Sequence, residues 1–262
     1  MKSVSGVFLS LLLLCALPLA AVADSFNENG QSTTPGSGNI QQERARIHTE
    51  LGAGFFQRGQ YAISLNELHT ALSADNSYAP AYDVLGLVHM ALGENDKADR
   101  NFLRAIDLAP GNPDFHNNYG WFLYSVNRLD EAQKQFAIAV ADPLYSTPQL
   151  ALYNAGLCAI KQGNPDKAID FFEKSLQRDE NQPQAVYQLA NLYYQKQRYQ
   201  DARNLIDHIS SPTTASAPVL WLSLCIARKM GDHNTETNDA LQLNKRFPSS
   251  HETMLLQQGK YD

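Results

Sequence analysis

A period of 34 residues runs through this 262-residue chain, from residue 43 to residue 248. Small residues recur at Gly52, Gly86, Gly120, Gly156 and Ala190, with Leu224 completing the series, at spacings of 34, 34, 36, 34 and 34. Twelve residues after each anchor stand Ser64, Ala98, Ala132, Ala168, Ala202 and Glu236, and sixteen after stand Leu68, Phe102, Phe136, Phe172, Ile206 and Ala240. A glycine follows seven residues after four of the six anchors, at Gly59, Gly93, Gly163 and Gly231. Two helices cross closely only where small side chains meet, so Gly86 with Ala98 and Gly120 with Ala132 predict antiparallel helix pairs, their flanks filled by residues such as Tyr82, Leu85 and Phe102. The turn inside each pair needs a residue that tolerates positive φ, which fits Gly93, Gly163 and Asn127. Pro80, Pro110, Pro113, Pro148, Pro183, Pro218 and Pro248 all fall near repeat boundaries, where a helix starts or stops.

A unit of this length cannot bury its apolar face alone, so the period predicts a stacked array. The expected fold is all-α, with about six helix-turn-helix units over residues 43–248. The 36-residue spacing marks a two-residue insertion in ADPLYSTP (141–148). The sixth unit departs at Leu224 and Glu236, as a terminal unit with no neighbour on one side can. Residues 249–262 are expected to form a capping segment through Met254, Leu255 and Leu256.

The period and its small-residue positions resemble the tetratricopeptide repeat, which implies a superhelix with a groove lined by the first helix of each unit. The groove positions of that repeat fall here on Phe56, Leu87, Met90, Asn117, Trp121, Tyr124, Tyr153, Tyr187, Asn191 and Tyr194, among others. Aromatic and amide side chains in this mixture suit a peptide- or helix-binding surface. No Lys/Arg pair converges as a carboxylate clamp, which favours an apolar or strand-like ligand. The competing reading is that Trp121, Tyr124, Tyr153 and Tyr187 pack against neighbouring units.

Ahead of the array, residues 1–23 read as an export signal: Lys2 supplies the positive start, Val7 to Leu14 the apolar run, and Ala21-Val22-Ala23 the cleavage site. The run is too short for the roughly 20 residues of a spanning helix. Cys15 offers an alternative, acylation as in bacterial lipoproteins, but Leu14 stands where such signals carry a small residue, so cleavage after Ala23 is expected. Residues 24–42 hold almost nothing to bury and are expected to form a disordered tether reaching on the order of 25 Å. Of the remaining cysteines, Cys158 and Cys225 could pair in an oxidising compartment, though buried thiols acting as small hydrophobes are the expectation.

Charged residues make up 18% of the chain, below the roughly 25% of an average soluble protein, and the net charge is −6. That balance gives no basic footprint for phosphate backbones, so no nucleic-acid partner is expected. HExxH, GxSxG, phosphate-loop, CxxC and EF-hand motifs are all missing from the sequence. The seven histidines are scattered, and His48 and His116 stand where an aromatic residue normally packs. His116, Asn117 and Asn118 form a polar patch without a carboxylate or thiol at ligand spacing. No metal, cofactor or catalytic activity is expected.

Five stretches carry a closer resemblance: LGAGFFQRGQYAIS (51–64), NNYGWFLYSVNRLDEA (117–132), FFEKSLQRDENQP (171–183), LANLYYQKQRYQDAR (189–203) and LQLNKRFPSS (241–250). They are similar to the type IV pilus biogenesis/stability family PilW (PilF), exported tetratricopeptide-repeat pilotins. The resemblance implies a non-catalytic pilotin scaffold that binds the pilus secretin and assists its outer-membrane assembly; the chain is expected to be a monomer and to make this contact chiefly over the first three repeats. Its expected place is the periplasm, held to the inner face of the outer membrane only if Cys15 is lipidated. The alternatives are another periplasmic adaptor for envelope or cell-wall machinery, and an enzyme whose unfamiliar site would need a deep pocket.

Overall fold

The computed structural model describes residues 37–210 and 214–261. The export signal of residues 1–23, Cys15 and the tether as far as residue 36 lie outside the described residues. Thirteen α-helices and no strands are found among the described residues, and they fall into two compact units divided after Leu108.

The first unit holds α1 (Ser37–Gln57), α2 (Tyr61–Ala74), α3 (Ala79–Ala91) and α4 (Asn95–Leu108). Here α1 pairs with α2 and α3 with α4, while α3 also packs on both α1 and α2. Ala45, Leu68, Ala71, Ala81, Leu85 and Val88 form its buried core. The structure corrects the tether boundary: α1 begins at Ser37, so residues 37–42 are helical. Gln41, Gln42 and Glu43 are good helix formers, and each turn added to an existing helix costs little. Arg46, which pairs with Glu43 at 2.6 Å and Glu50 at 2.5 Å, supports the helix that this stretch extends.

The second unit holds α5 (Pro113–Ser125), α6 (Leu129–Ala141), α7 (Pro148–Lys161), α8 (Pro165–Arg178), α9 (Pro183–Gln195), α10 (Tyr199–Ile209), α11 (Ala217–Met230), α12 (His233–Arg246) and α13 (His251–Gln257). Successive helices pair from α5 with α6 to α11 with α12, α5 lies beside α7 and α9 beside α11, and α13 packs on α11 and α12. The starts are chemically marked. Proline occupies the first turn of α5, α7, α8, α9 and α11, where its missing N–H costs nothing. The side chains of Asn112, Asn164, Asp232 and Ser250 accept backbone N–H groups at the starts of α5, α8, α12 and α13.

Three of the six pairs are locked by a fit between an anchor glycine and a phenylalanine ring. A Cβ added to Gly86, Gly120 or Gly156 would stand 2.7, 2.7 and 2.5 Å from the ring of Phe102, Phe136 or Phe172, so the phenylalanine fills the space the glycine leaves. Ala98, Ala132 and Ala168 are fully buried beside them. Where the anchor grows the partner shrinks: Ala190 stands opposite fully buried Ile206, and fully buried Leu224 is matched by Ala240 in the same core. The sixth pair therefore carries its large residue on α11 and its small one on α12, the reverse of Gly86 and Phe102. In all six turns the residue seven after the anchor has positive φ, and the two positions without glycine are Asn127 at 65° and Gln197 at 62°. The two-residue insertion is pinned by Tyr145, buried against Ala139 and Ala151, and leaves Leu144 90% exposed.

Candidate functional site

No described helix is long and apolar enough to cross a membrane, and no group of three or more His, Cys, Asp or Glu among the described residues is placed to hold a metal ion. The expected groove residues all stand on the first helix of a pair. In the first unit Phe56 lies on α1 against Tyr61, their centroids 6.0 Å apart, and Leu87 and Met90 lie half-buried on α3.

In the second unit the first helices present a row of half-buried aromatic side chains. Trp121 and Tyr124, one turn apart on α5, stack with centroids 5.1 Å apart. Lys161, at the end of α7, donates to the Tyr124 carbonyl at 3.0 Å and places its ammonium 4.6 Å from the same ring. Tyr153 of α7 leans on Phe172, and Tyr194 of α9 on Tyr199, with centroids 5.7 and 5.6 Å apart. Tyr187 and Asn191 complete the row on α9. Tyr153, Tyr187 and Tyr194 touch the buried core with one side and keep the other toward solvent, so core packing and surface display coexist in the same residues.

Burial pushes the phenols of Tyr124, Tyr153 and Tyr187 up, so all three stay neutral through the physiological range. The row is therefore an apolar surface with amide and hydroxyl edges. Asn117 differs from expectation: it is only 5% exposed, and its side-chain oxygen accepts from Asn154 Nδ2 at 3.0 Å. It ties α5 to α7 instead of facing a ligand, because a buried amide needs an internal partner.

Two of the histidines tie the helices of a pair together. His48 meets Glu67 at 2.6 Å, while His116 meets Gln135 at 2.6 Å and the Pro110 carbonyl at 2.9 Å. Both ties span nineteen residues, from one helix of a pair to the other. Cys158 and Cys225 are both buried and are not joined to each other in a disulfide; the Cys158 thiol donates to the Leu129 carbonyl, and burial pushes its pKa up. An open hollow lies between the turns after α5 and α7, lined by Asn127, Leu129, Asp130, Gln162, Asn164 and Lys167. It is polar and apart from the aromatic row.

The second unit holds a residue that sequence reasoning passed over. Trp221 of α11 occupies the groove register three residues before Leu224, yet its ring is covered by Tyr261. The signal that marks it is the register itself, since it stands three residues before the sixth anchor.

Models of the tetratricopeptide repeat match residues 79–112, 101–134, 123–185 and 159–220. The type IV pilus assembly protein PilF of Pseudomonas aeruginosa is 31% identical over 251 residues, covering 96% of this chain and 98% of the relative. A solved structure of Pseudomonas aeruginosa PilF aligns with a TM-score of 0.78 at 31% identity, over 84% of this chain and all of the other. The crystal structure of PilW, described as a widely conserved type IV pilus biogenesis factor, aligns with a TM-score of 0.73 at 30% identity, over 81% of this chain and 98% of the other.

Proposed function

The chain belongs to the PilF/PilW family of tetratricopeptide-repeat type IV pilus proteins, and from that premise we propose that it is a non-catalytic assembly factor that captures the pilus secretin subunit in the cell envelope. The observation that carries this reading is the aromatic row of the second unit, where Trp121, Tyr124, Tyr153, Tyr187 and Tyr194 keep apolar surface in reach of solvent. Large aromatic side chains set among neutral polar groups are the usual anchors of a protein interface. Binding of this kind requires no reacting group, only a rigid row of side chains held at the repeat spacing.

Secretin capture, location at the inner face of the outer membrane and assistance to secretin assembly form one functional reading. Affinity capture on the full chain from envelope extracts tests it. Secretin is enriched by the wild-type chain and lost with Trp121→Ala and Tyr187→Ala, and deletion of the protein abolishes surface pili. Capture that never enriches secretin, with pili intact after deletion, overturns it.

A further inference from the structure

The face that α5, α7 and α9 leave open is already occupied on α11. Trp221, Cys225 and Arg228 stand three before, one after and four after Leu224, the register held on α9 by Tyr187, Asn191 and Tyr194. Beyond α13 the chain turns at Gly259, whose φ is +66°, and brings Tyr261 over all three. The rings of Tyr261 and Trp221 stack with centroids 5.8 Å apart and planes 10° from parallel. The Arg228 guanidinium lies 3.9 Å from the centre of the Tyr261 ring, and Arg228 is itself paired with Glu236 at 3.0 Å. The Cys225 thiol faces the Tyr261 carbonyl at 3.9 Å.

We propose that Tyr261 is a built-in stand-in for the partner. Trp221, Cys225 and Arg228 form an aromatic-binding subsite whose ligand is an aromatic side chain on an extended segment, and a docking partner displaces Tyr261 from it. The inference rests on the aromatic row being the partner surface, and it names what the partner must present. The subsite continues that row: α11 packs beside α9, and Tyr187, Tyr194, Trp221 and Tyr261 all pack against the same buried core. Its chemistry is selective. An aromatic ring stacks on the indole and attracts the guanidinium to its face, whereas an aliphatic side chain of similar size does neither. Its occupant is also exchangeable, because the segment after Gln257 is not helical and Gly259 and Lys260 are exposed.

The test uses the full chain with Trp121→Phe, which leaves Trp221 as the single indole, with and without Tyr261→Ala. Losing Tyr261 should raise acrylamide quenching of Trp221 at least about twofold, as its stacked cover is removed. The probe is then the acetylated peptide QGKYD, the sequence of residues 258–262. It should bind the Tyr261→Ala chain saturably and restore the protection of Trp221, and it should bind roughly tenfold more weakly when its tyrosine is leucine or when Tyr261 is in place. Quenching unchanged by Tyr261→Ala, or a leucine peptide that binds as well as the tyrosine peptide, overturns the proposal. Because the probe is not a pilus protein, failure here leaves secretin capture untouched, and failure of secretin capture leaves this result standing.

Discussion

At Gly156 an added Cβ would meet Cε1 of Phe172 at 2.5 Å, whereas at Gly54 it would meet nothing within 4 Å. The two glycines sit in helices of the same repeat type, yet their substitutions should differ in sign. Gly156→Ala overpacks a fully buried ring and should cost about 1–3 kcal/mol. Gly54→Ala gains helix propensity, up to about 1 kcal/mol. Urea denaturation of both variants measures the contrast. Asp239 makes a second test: its carboxyl is buried between α11 and α12, one oxygen has no hydrogen-bond partner, and burial pushes its pKa above the usual 3.8, partly offset by Ser223 and Arg203. The folded chain therefore holds this proton to higher pH than the unfolded chain, so the group's contribution to stability falls as pH rises through that window. Asp239→Asn should melt higher than wild type at pH 7, and the difference should vanish below about pH 3.8, where both states are protonated.

The helix pair is the element of this fold, and its turn shows what a single sequence discloses. Glycine at four of the six turn positions and asparagine at Asn127 announced positive φ; Gln197 did not, because its backbone is forced by the flanking helices against its own preference. Gln197→Gly should relieve that conformation and stabilise the protein by about 0.5–1 kcal/mol, read from the shift in urea midpoint. The pair boundaries were legible because proline and period mark them independently. The start of α1 was not, since residues 37–42, polar or glycine but for Ile40, have the composition of a linker and become helical by extending a helix already packed. The sixth pair looked irregular in sequence because its large and small residues trade places at Leu224 and Ala240, a compensation that only paired volumes reveal. Burial of Asn117 was equally hidden, as its partner Asn154 lies 37 residues away.

Across the whole molecule the low charge and the aromatic row belong to one account. With 18% charged residues, the chain offers few ionic handles, and the second unit presents neutral rings in their place. Repeat register was enough to name most of those rings, since helical spacing decides which side chains share a face. The covering of Trp221 by Tyr261 escaped, because it depends on where the chain returns after α13. Titration of the purified full chain against the purified pilus secretin subunit tests capture by the aromatic row itself. Saturable one-to-one binding is expected, weakened about thirtyfold by Tyr187→Ala, the loss of an interface anchor worth roughly 2 kcal/mol, and unchanged by the exposed Leu144→Ala. Absence of saturable binding, or equal affinity for wild type and Tyr187→Ala, would contradict it.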